Sequence, residues 1–300
     1  MKIGFVGLGK MGYQIVKKLS EAGHEMVVLD VDQTAIEKAV QSGAKAAVSR
    51  QELVTMLGVN PVVWLMIPSN FTSDEIDAFL SLLPEGALLI DGGNTNFNET
   101  MSHAEKLAAQ NIDMMDVGTS GGVMGLSNGF SLMVGGSQKN YERMTPAFDV
   151  LAAPKGAHAY MGISGRGHFV KMVHNGIEYG VMQAIAEGYQ LLKEGPLEGL
   201  DMEKIAEVWQ HGSIVESTLN KLMVEIYKEN PTLEGVEGYV ADSGEGRWTL
   251  DSAHKSSIKM PVLEDALKVR FDSQNGEVSY ATQILAALRN KFGGHSINKS

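Results

Sequence analysis

Short apolar runs alternate with amphipathic stretches through the first half of this chain, and no other feature constrains its fold as tightly. The runs are Ile3–Val6, Met26–Leu29, Val62–Ile67, Ala87–Ile90, Ile112–Val117 and Leu132–Val134, and helical patterns such as Met11–Ala22 and Asn98–Gln110 lie between most of them. Parallel strands joined by crossover helices satisfy that pattern, because each strand buries two faces while each helix covers one. A doubly wound α/β sheet is therefore expected. Runs near Phe130–Val134 and His158–Met161 add strands at its far edge.

The second half has a different texture. Beyond Gly165 the β-branched runs nearly vanish and helical periodicity takes over. It begins with His168–Lys193, longer than an ordinary globular helix, and continues near Met202–His211, Val215–Glu229, Arg247–Ser257, Val262–Ser273 and Val278–Lys291. A length of 300 residues suits two cores better than one. The expected division is 1–164 for the sheet domain and 165–300 for an all-α domain, with the junction at Ile163-Ser164-Gly165.

Composition narrows the partners. The net charge is −11, so the general surface repels nucleic acid and anionic membranes, and neither is an expected partner. An anionic small molecule can still bind where basic residues converge. Without cysteine, disulfides, thiolate metal sites and thiol nucleophiles drop out together. The eight histidines are scattered without ligand spacing, so no metal is expected. No window approaches about 18 unbroken apolar residues, and Met1-Lys2 leads straight into a strand-like run rather than a leader peptide. A cytoplasmic setting fits these features.

Gly7-Leu8-Gly9-Lys10-Met11-Gly12 follows the first strand run and opens the first helical pattern. Glycines there permit a tight turn and let the backbone approach a pyrophosphate seated on the helix N-terminus. The string alone is a weak signal. Asp30, however, ends the next strand 18 residues beyond Gly12, completing the dinucleotide-binding fingerprint of a Rossmann-type fold. A carboxylate at Asp30 accepts from a ribose 2′-hydroxyl and repels a 2′-phosphate, and Val31 stands where a 2′-phosphate binder places arginine. NAD is therefore expected ahead of NADP. The plainer role for Asp30 is to cap the turn that follows it.

Ligands of such sheets collect at the carboxyl ends of the strands. Three polar segments lie there: Pro68-Ser69-Asn70, Asp91–Thr95 with Asn94, and Gly118–Gly122 with Ser120, Gly121 and Gly122. Asn94 and Ser120 can bond a hydroxyl or carboxylate. The richest stretch is Lys171–Tyr179, in which Lys171, His174, Asn175 and Glu178 stand at i, i+3, i+4 and i+7 and share one helix face. Val170, Val173, Ile177 and Val181 mark an apolar face, expected to be buried. A solvated Lys–Glu face is the bland reading; Gly165-Arg166-Gly167, which lets the chain pass close to a ligand, favours function. A lysine and a carboxylate together suit proton transfer in both directions.

The fingerprint string, Asp91-Gly92-Gly93-Asn94-Thr95, Ser120-Gly121-Gly122 and Lys171–Tyr179 together resemble the decarboxylating 6-phosphogluconate dehydrogenases, within the β-hydroxyacid dehydrogenase superfamily. The resemblance runs the whole length, through Gly244–Thr249, Arg270 and Arg289–His295. Its specific part is the helix motif holding both His174 and Glu178. It implies oxidative decarboxylation of 6-phosphogluconate to ribulose 5-phosphate and carbon dioxide in the pentose phosphate pathway, with reduction of NAD or NADP. Lys171 would be the base at the sugar 3-hydroxyl, and Glu178 the acid that protonates C1 of the enediol left by decarboxylation. Asn94, Ser120, Gly121, Gly122, His174 and Asn175 would hold the hydroxyls and carboxylate. Tyr179, Arg247, Thr249 and Arg270 would lie near the phosphate. Gly7 through Gly12, Asp30, Met66, Ile67, Pro68 and Asn94 are the matching cofactor positions.

Arg289 and His295 match a tail that, in this family, reaches the phosphate from a neighbouring subunit, which implies a homodimer or homotetramer with shared sites. Two departures stand out. The better-known members are roughly half as long again with a duplicated helical domain, so this resembles a short form. Arg247 replaces a lysine, and Val31 replaces the arginine that grips a 2′-phosphate. Two other readings remain. A relative oxidising an unphosphorylated acid such as 3-hydroxyisobutyrate shares the lysine and asparagine four apart, but leaves His174 with Glu178, Arg270, Arg289 and His295 unexplained. A non-catalytic NAD-binding sensor would need neither Lys171 nor Glu178.

Overall fold

The computed structural model describes residues 1–297, in two compact units that divide at Met172/Val173. Among the described residues of the first unit, β1 (Lys2–Val6), β2 (Glu25–Leu29), β3 (Lys45–Ala46), β4 (Val62–Leu65), β5 (Leu88–Asp91), β6 (Asp113–Ser120), β7 (Ser131–Gly135) and β8 (His158–Gly162) form one sheet. Its order is β3-β2-β1-β4-β5-β6-β7-β8. From β3 to β6 every pairing is parallel, β7 is antiparallel to β6, and β8 runs parallel to β7. The reversal has a local cause. Between β6 and β7 the chain has only a 3-10 turn, Gly122–Met124, and a one-turn helix, Gly125–Asn128. A parallel return needs a crossover of a dozen residues or more.

The expected Rossmann-type sheet and its two edge strands are thus present. Sequence reading misses β3, which is two exposed residues with no apolar pattern.

Strand alternation produces two cores, one on each face. Ile3, Phe5, Val28, Val62, Trp64 and Ile90 point to the side covered by helices Lys10–Glu21 and Gln138–Ala152. Val27, Val63, Leu65 and Leu89 point to the side covered by Arg50–Leu57, Ser69–Leu80 and Phe97–Ala108. Trp64, fully buried, stacks on Phe5 at 5.9 Å between centroids and meets Phe148 edge-on at 6.1 Å.

A 29-residue helix, Arg166–Glu194, leads into the second unit, which is helical: Met202–Trp209, Thr218–Glu229, Glu245–Lys255, Pro261–Gln274 and Tyr280–Gly293. Asp201, Ser217 and Ser279 cap three of these helices by accepting from the backbone three residues on. The caps fix the helix starts at Thr218 and Tyr280, slightly later than apolar periodicity alone suggests. No helix of the described residues is long and apolar enough to cross a membrane.

Candidate active site

In the first unit the candidate site is made largely of backbone. Gly7 leaves β1 at φ +96°, and a Cβ there would lie 2.4 Å from the Met66 carbonyl oxygen and 2.8 Å from Ile67. A Cβ on Gly12 would lie 2.1 Å from the Gly7 oxygen. Those two glycines are therefore steric necessities of the turn. Gly9 is different: a Cβ there would meet nothing within 4 Å, and no side chain caps the helix that starts behind it. A helix N-terminus open to solvent, with no acidic residue in its first turn, suits a pyrophosphate.

Asp30 is already engaged. Its Oδ2 accepts from the Leu8 N–H and its Oδ1 from the Asp32 N–H at 2.8 Å. The carboxylate thus braces the glycine loop and the turn after β2 at once, the second of these being the turn-capping role expected for it. Val31 beside it is fully exposed. The dinucleotide therefore fits on two counts, the vacant flank of Gly9 and a carboxylate at the second strand end.

The parallel order of β1, β4, β5 and β6 brings their carboxyl ends to one edge. Met66 and Ile67 follow β4, and a Cβ on Gly93, after β5, would lie 2.8 Å from the Ile67 oxygen. Pro68 and Asn94 are exposed, whereas Asp91 is fully buried and accepts from the Gly93 N–H at 3.0 Å. Ser120 ends β6, and Gly121 and Gly122 both turn with positive φ. Lys171 is 7% exposed, and its Cβ would lie 2.4 Å from a Cβ on Gly118 of β6. The structure thus gathers Gly7, Met66, Ile67 and Gly93 in one place and Gly118 with Lys171 in another along the same sheet edge.

The long helix corrects one expectation. Its apolar row is not the buried face, since Ile177 is 59% and Val181 43% exposed. Lys171, Met172, Asn175, Tyr179 and Met182 are buried instead. Glycines explain the inversion, because Gly118 in the first unit and Gly246 in the second let backbone come close on the polar side. His174 Nδ1 lies 2.9 Å from Asn175 Oδ1 and 3.8 Å from Glu178 Oε2, so these three form a linked row on one helix face.

In the second unit the candidate site is made of buried side chains. A Cβ on Gly176 would lie 2.7 Å from Thr249, and one on Gly246 2.6 Å from the Tyr179 ring, so helix Glu245–Lys255 packs tightly on the long helix. The Arg270 guanidinium lies 3.3 Å from the Tyr179 ring centroid. It is 1% exposed, one nitrogen approaches Met182 Sδ at 4.0 Å, and Nη1 has no hydrogen-bond partner. Burial pushes Arg270 down to about 10, with Arg289 adding to the fall and Tyr179, Asp242 and Glu178 opposing it. Arg289, also buried, is lowered by the same cause and interacts with the same groups. Two cations are thus held close together in low dielectric with an unused donor, an arrangement that calls for an anion.

The remaining candidates are placed less directly. Arg247 is exposed and pairs with Asp242, while the Tyr179 and Ser243 hydroxyls are hydrogen-bonded to each other at 3.0 Å. Thr249 is buried and donates to the Glu245 carbonyl at 2.8 Å. His295 is exposed with its ring against Phe292. Sequence reasoning missed Asp242 and Ser243; the Asp242-Ser243-Gly244 turn before a helix was the available signal.

A fingerprint loop on a Rossmann-type sheet, followed by a lysine-bearing long helix and a helical unit, defines an oxidoreductase that binds a nicotinamide dinucleotide. Residues 2–165 match the model for the NAD binding domain of 6-phosphogluconate dehydrogenase, and residues 167–299 match its C-terminal domain. The chain belongs to the 6-phosphogluconate dehydrogenase family. The NAD(+)-dependent, decarboxylating 6-phosphogluconate dehydrogenase of Haloferax volcanii is 39% identical over 302 residues, covering 99% of this chain and 98% of that one. Among solved structures, the 6-phosphogluconate dehydrogenase of Plasmodium falciparum superposes with a TM-score of 0.81 at 27% identity, over 92% of this chain and 63% of that one. A 3-hydroxyisobutyrate dehydrogenase from Mycobacterium tuberculosis shares the fold, with a TM-score of 0.73 at 22% identity over 94% and 97% of the two chains.

Proposed function

We propose that this chain oxidises and decarboxylates 6-phosphogluconate, giving ribulose 5-phosphate and carbon dioxide, with NAD preferred over NADP. The observation that carries the phosphate is Arg270, buried beside Arg289 with Nη1 unpartnered. An unphosphorylated acid such as 3-hydroxyisobutyrate leaves that costly cation pair without a purpose. The NAD preference is supported by Asp30 and Val31, and by the name of the Haloferax relative.

The bound dinucleotide supplies a hydride acceptor, held by Gly7–Gly12, Asp30, Met66, Ile67 and Pro68. Lys171 takes the proton from the 3-hydroxyl as the C3 hydrogen leaves with its electron pair. The 3-keto acid that results loses its carboxyl group, because the β-carbonyl accepts the electrons of the breaking bond. Glu178 then protonates C1 of the enediol. Asn94, Ser120, Gly121, Gly122, His174 and Asn175 orient hydroxyls and carboxylate, and Tyr179, Thr249, Arg247, Arg270, Arg289 and His295 serve the phosphate. Self-association is supported by the exposed apolar row Phe169, Ile177 and Val181 on the long helix.

The test is steady-state reduction of NAD and of NADP with 6-phosphogluconate, with carbon dioxide trapped in parallel. Reduction matched by carbon dioxide release is the expected result. Oxidation of 3-hydroxyisobutyrate with no turnover of 6-phosphogluconate overturns the proposal. Lys171→Met should lower kcat about 10³-fold or more while NADH binding is retained.

A further inference from the structure

Asp116 takes no part in the chemistry proposed above, yet it is fully buried in the middle of β6 and both its carboxylate oxygens serve one helix. Oδ1 accepts from the Gly165 N–H at 2.7 Å and Oδ2 from the His168 N–H at 2.8 Å, at the start of helix Arg166–Glu194. A helix N-terminus supplies orphan donors and a favourable dipole, which is what a buried carboxylate needs. Two N–H groups three residues apart, held by one side chain, fix both the distance of the helix from the strand and its roll.

Three glycines remove the remaining slack. A Cβ on Gly135 would lie 2.3 Å from Asp116 Oδ1, and one on Gly167 would lie 2.7 Å from the Asp116 carbonyl oxygen. A Cβ on Gly118 would lie 2.4 Å from Cβ of Lys171. Strand and helix therefore approach closely at Gly167 and at Lys171. Lys171 stands one helical turn beyond His168, over the residue two along β6 from Asp116. A second tie, His168 Nδ1 to Thr100 Oγ1 at 2.8 Å, holds the same turn from the side of helix Phe97–Ala108.

We infer that Asp116 is a positioning residue for Lys171. It clamps the first turn of the long helix to β6 and so sets where the lysine amine stands against the strand-end segment Ser120–Gly122. The inference rests on the reading of Lys171 as the base for substrate oxidation. A carboxylate that merely stabilised the fold could be weakened without altering the chemistry of those molecules that remain folded. A clamp could not, because misplacing a reacting group by about 1 Å costs on the order of 100-fold in rate.

Asp116→Asn keeps the shape and one acceptor while losing the charge and the second acceptor. Gly118→Ala disturbs the same juxtaposition from the other side and leaves the carboxylate untouched. Both variants are to be assayed with 6-phosphogluconate beside the unmodified protein, together with the NADH dissociation constant, the melting temperature and the primary isotope effect from substrate deuterated at C3. The expected result is a fall in kcat of about 100-fold, an unchanged substrate KM and NADH affinity, and a larger isotope effect as hydride transfer becomes slow. A folded Asp116→Asn protein with undiminished kcat overturns the inference. So does a loss that tracks only the folded fraction with the isotope effect unchanged. Should Asp116→Asn fail to fold, Gly118→Ala decides: lowered kcat with NADH affinity retained supports the clamp, and undiminished kcat overturns it. If the unmodified protein oxidises only an unphosphorylated hydroxy acid, the functional proposal fails, and the same variants are read on that acid.

Discussion

The two units build their candidate sites from opposite materials. In the sheet unit, recognition falls to backbone: glycines whose missing Cβ atoms make room, N–H groups at a helix start, and one carboxylate bracing the loop. In the helical unit it falls to long charged side chains buried among aromatics, with Arg270 over Tyr179 and Arg289 close by. A backbone site has its shape before any ligand arrives. A buried-cation site carries a standing penalty until an anion relieves it. The sign for Arg270 follows from its lowered pKa. Its folded value of about 10 lies below the ordinary guanidinium range, so burial subtracts stability at all pH below about 10. That penalty fades as pH rises from about 10 towards the unfolded value, and is on the order of 3 kcal/mol.

The sharpest way to break this contrast is at two glycines of one loop. Gly12→Ala places a methyl 2.1 Å from the Gly7 oxygen and should destabilise the fold by about 1–3 kcal/mol as well as abolish NADH binding. Gly9→Ala meets nothing in the protein, so the melting temperature should stay put while NADH affinity falls by about 100-fold through lost approach to the pyrophosphate. Fluorescence titration with NADH and thermal melts of both variants check this. Equal affinity in Gly9→Ala would remove the cofactor from that flank.

Arg270→Met tests the other material, with a smaller effect. Because the replacement is apolar and similar in length, the melting temperature without substrate should hold or rise, as it does when an uncompensated buried charge is removed. The KM for 6-phosphogluconate should rise about 10–100-fold, the value of charged hydrogen bonds worth about 1.5–3 kcal/mol. Stabilisation of the protein by inorganic phosphate or substrate should disappear with it. A marked fall in melting temperature without ligand would make Arg270 a structural cation instead, and the phosphate assignment would lose its main support.

The same contrast governs what could be read in advance. Strands β1, β2 and β4 to β8 and the fingerprint loop follow from local rules, short apolar runs between helical patterns and the sterics of glycine, so the sequence displays them. Strand β3, with two exposed residues, obeys no such rule. The long helix misled in a definite way. Val170, Val173, Ile177 and Val181 look like the buried face on hydrophobicity, yet Lys171 and Asn175 are the buried ones. Which face is buried was decided by where partner backbone could come close, at Gly118 and Gly246, and that lies 53 residues before Lys171 and 67 after Tyr179. Asp116 and Asp242 went unread for a related reason: much of what they hold is backbone N–H, which every residue has. The roles given to Arg270 and Arg289 came from resemblance alone, since no spacing joins them to Tyr179.

Asp30 and Val31 permit the mildest test, because there the two materials meet in adjacent residues. Asp30 is partly a structural group, tied to Leu8 and Asp32, so replacing it would loosen the glycine loop and lower affinity for either cofactor. Val31 is fully exposed and packs on nothing, so an arginine there costs no core. Val31→Arg should therefore leave kcat/KM with NAD nearly unchanged. With NADP it should rise by about 3–10-fold, the modest gain of an exposed guanidinium reaching a phosphate while the Asp30 carboxylate still opposes it. The comparison is run as paired initial-rate series at low ionic strength and again in salt. Screening should shrink the gain, because the new contact is exposed. A gain that salt leaves intact would mean the 2′-phosphate is held in a more enclosed place than the second strand end, and Asp30 would then not be the group that separates the two cofactors.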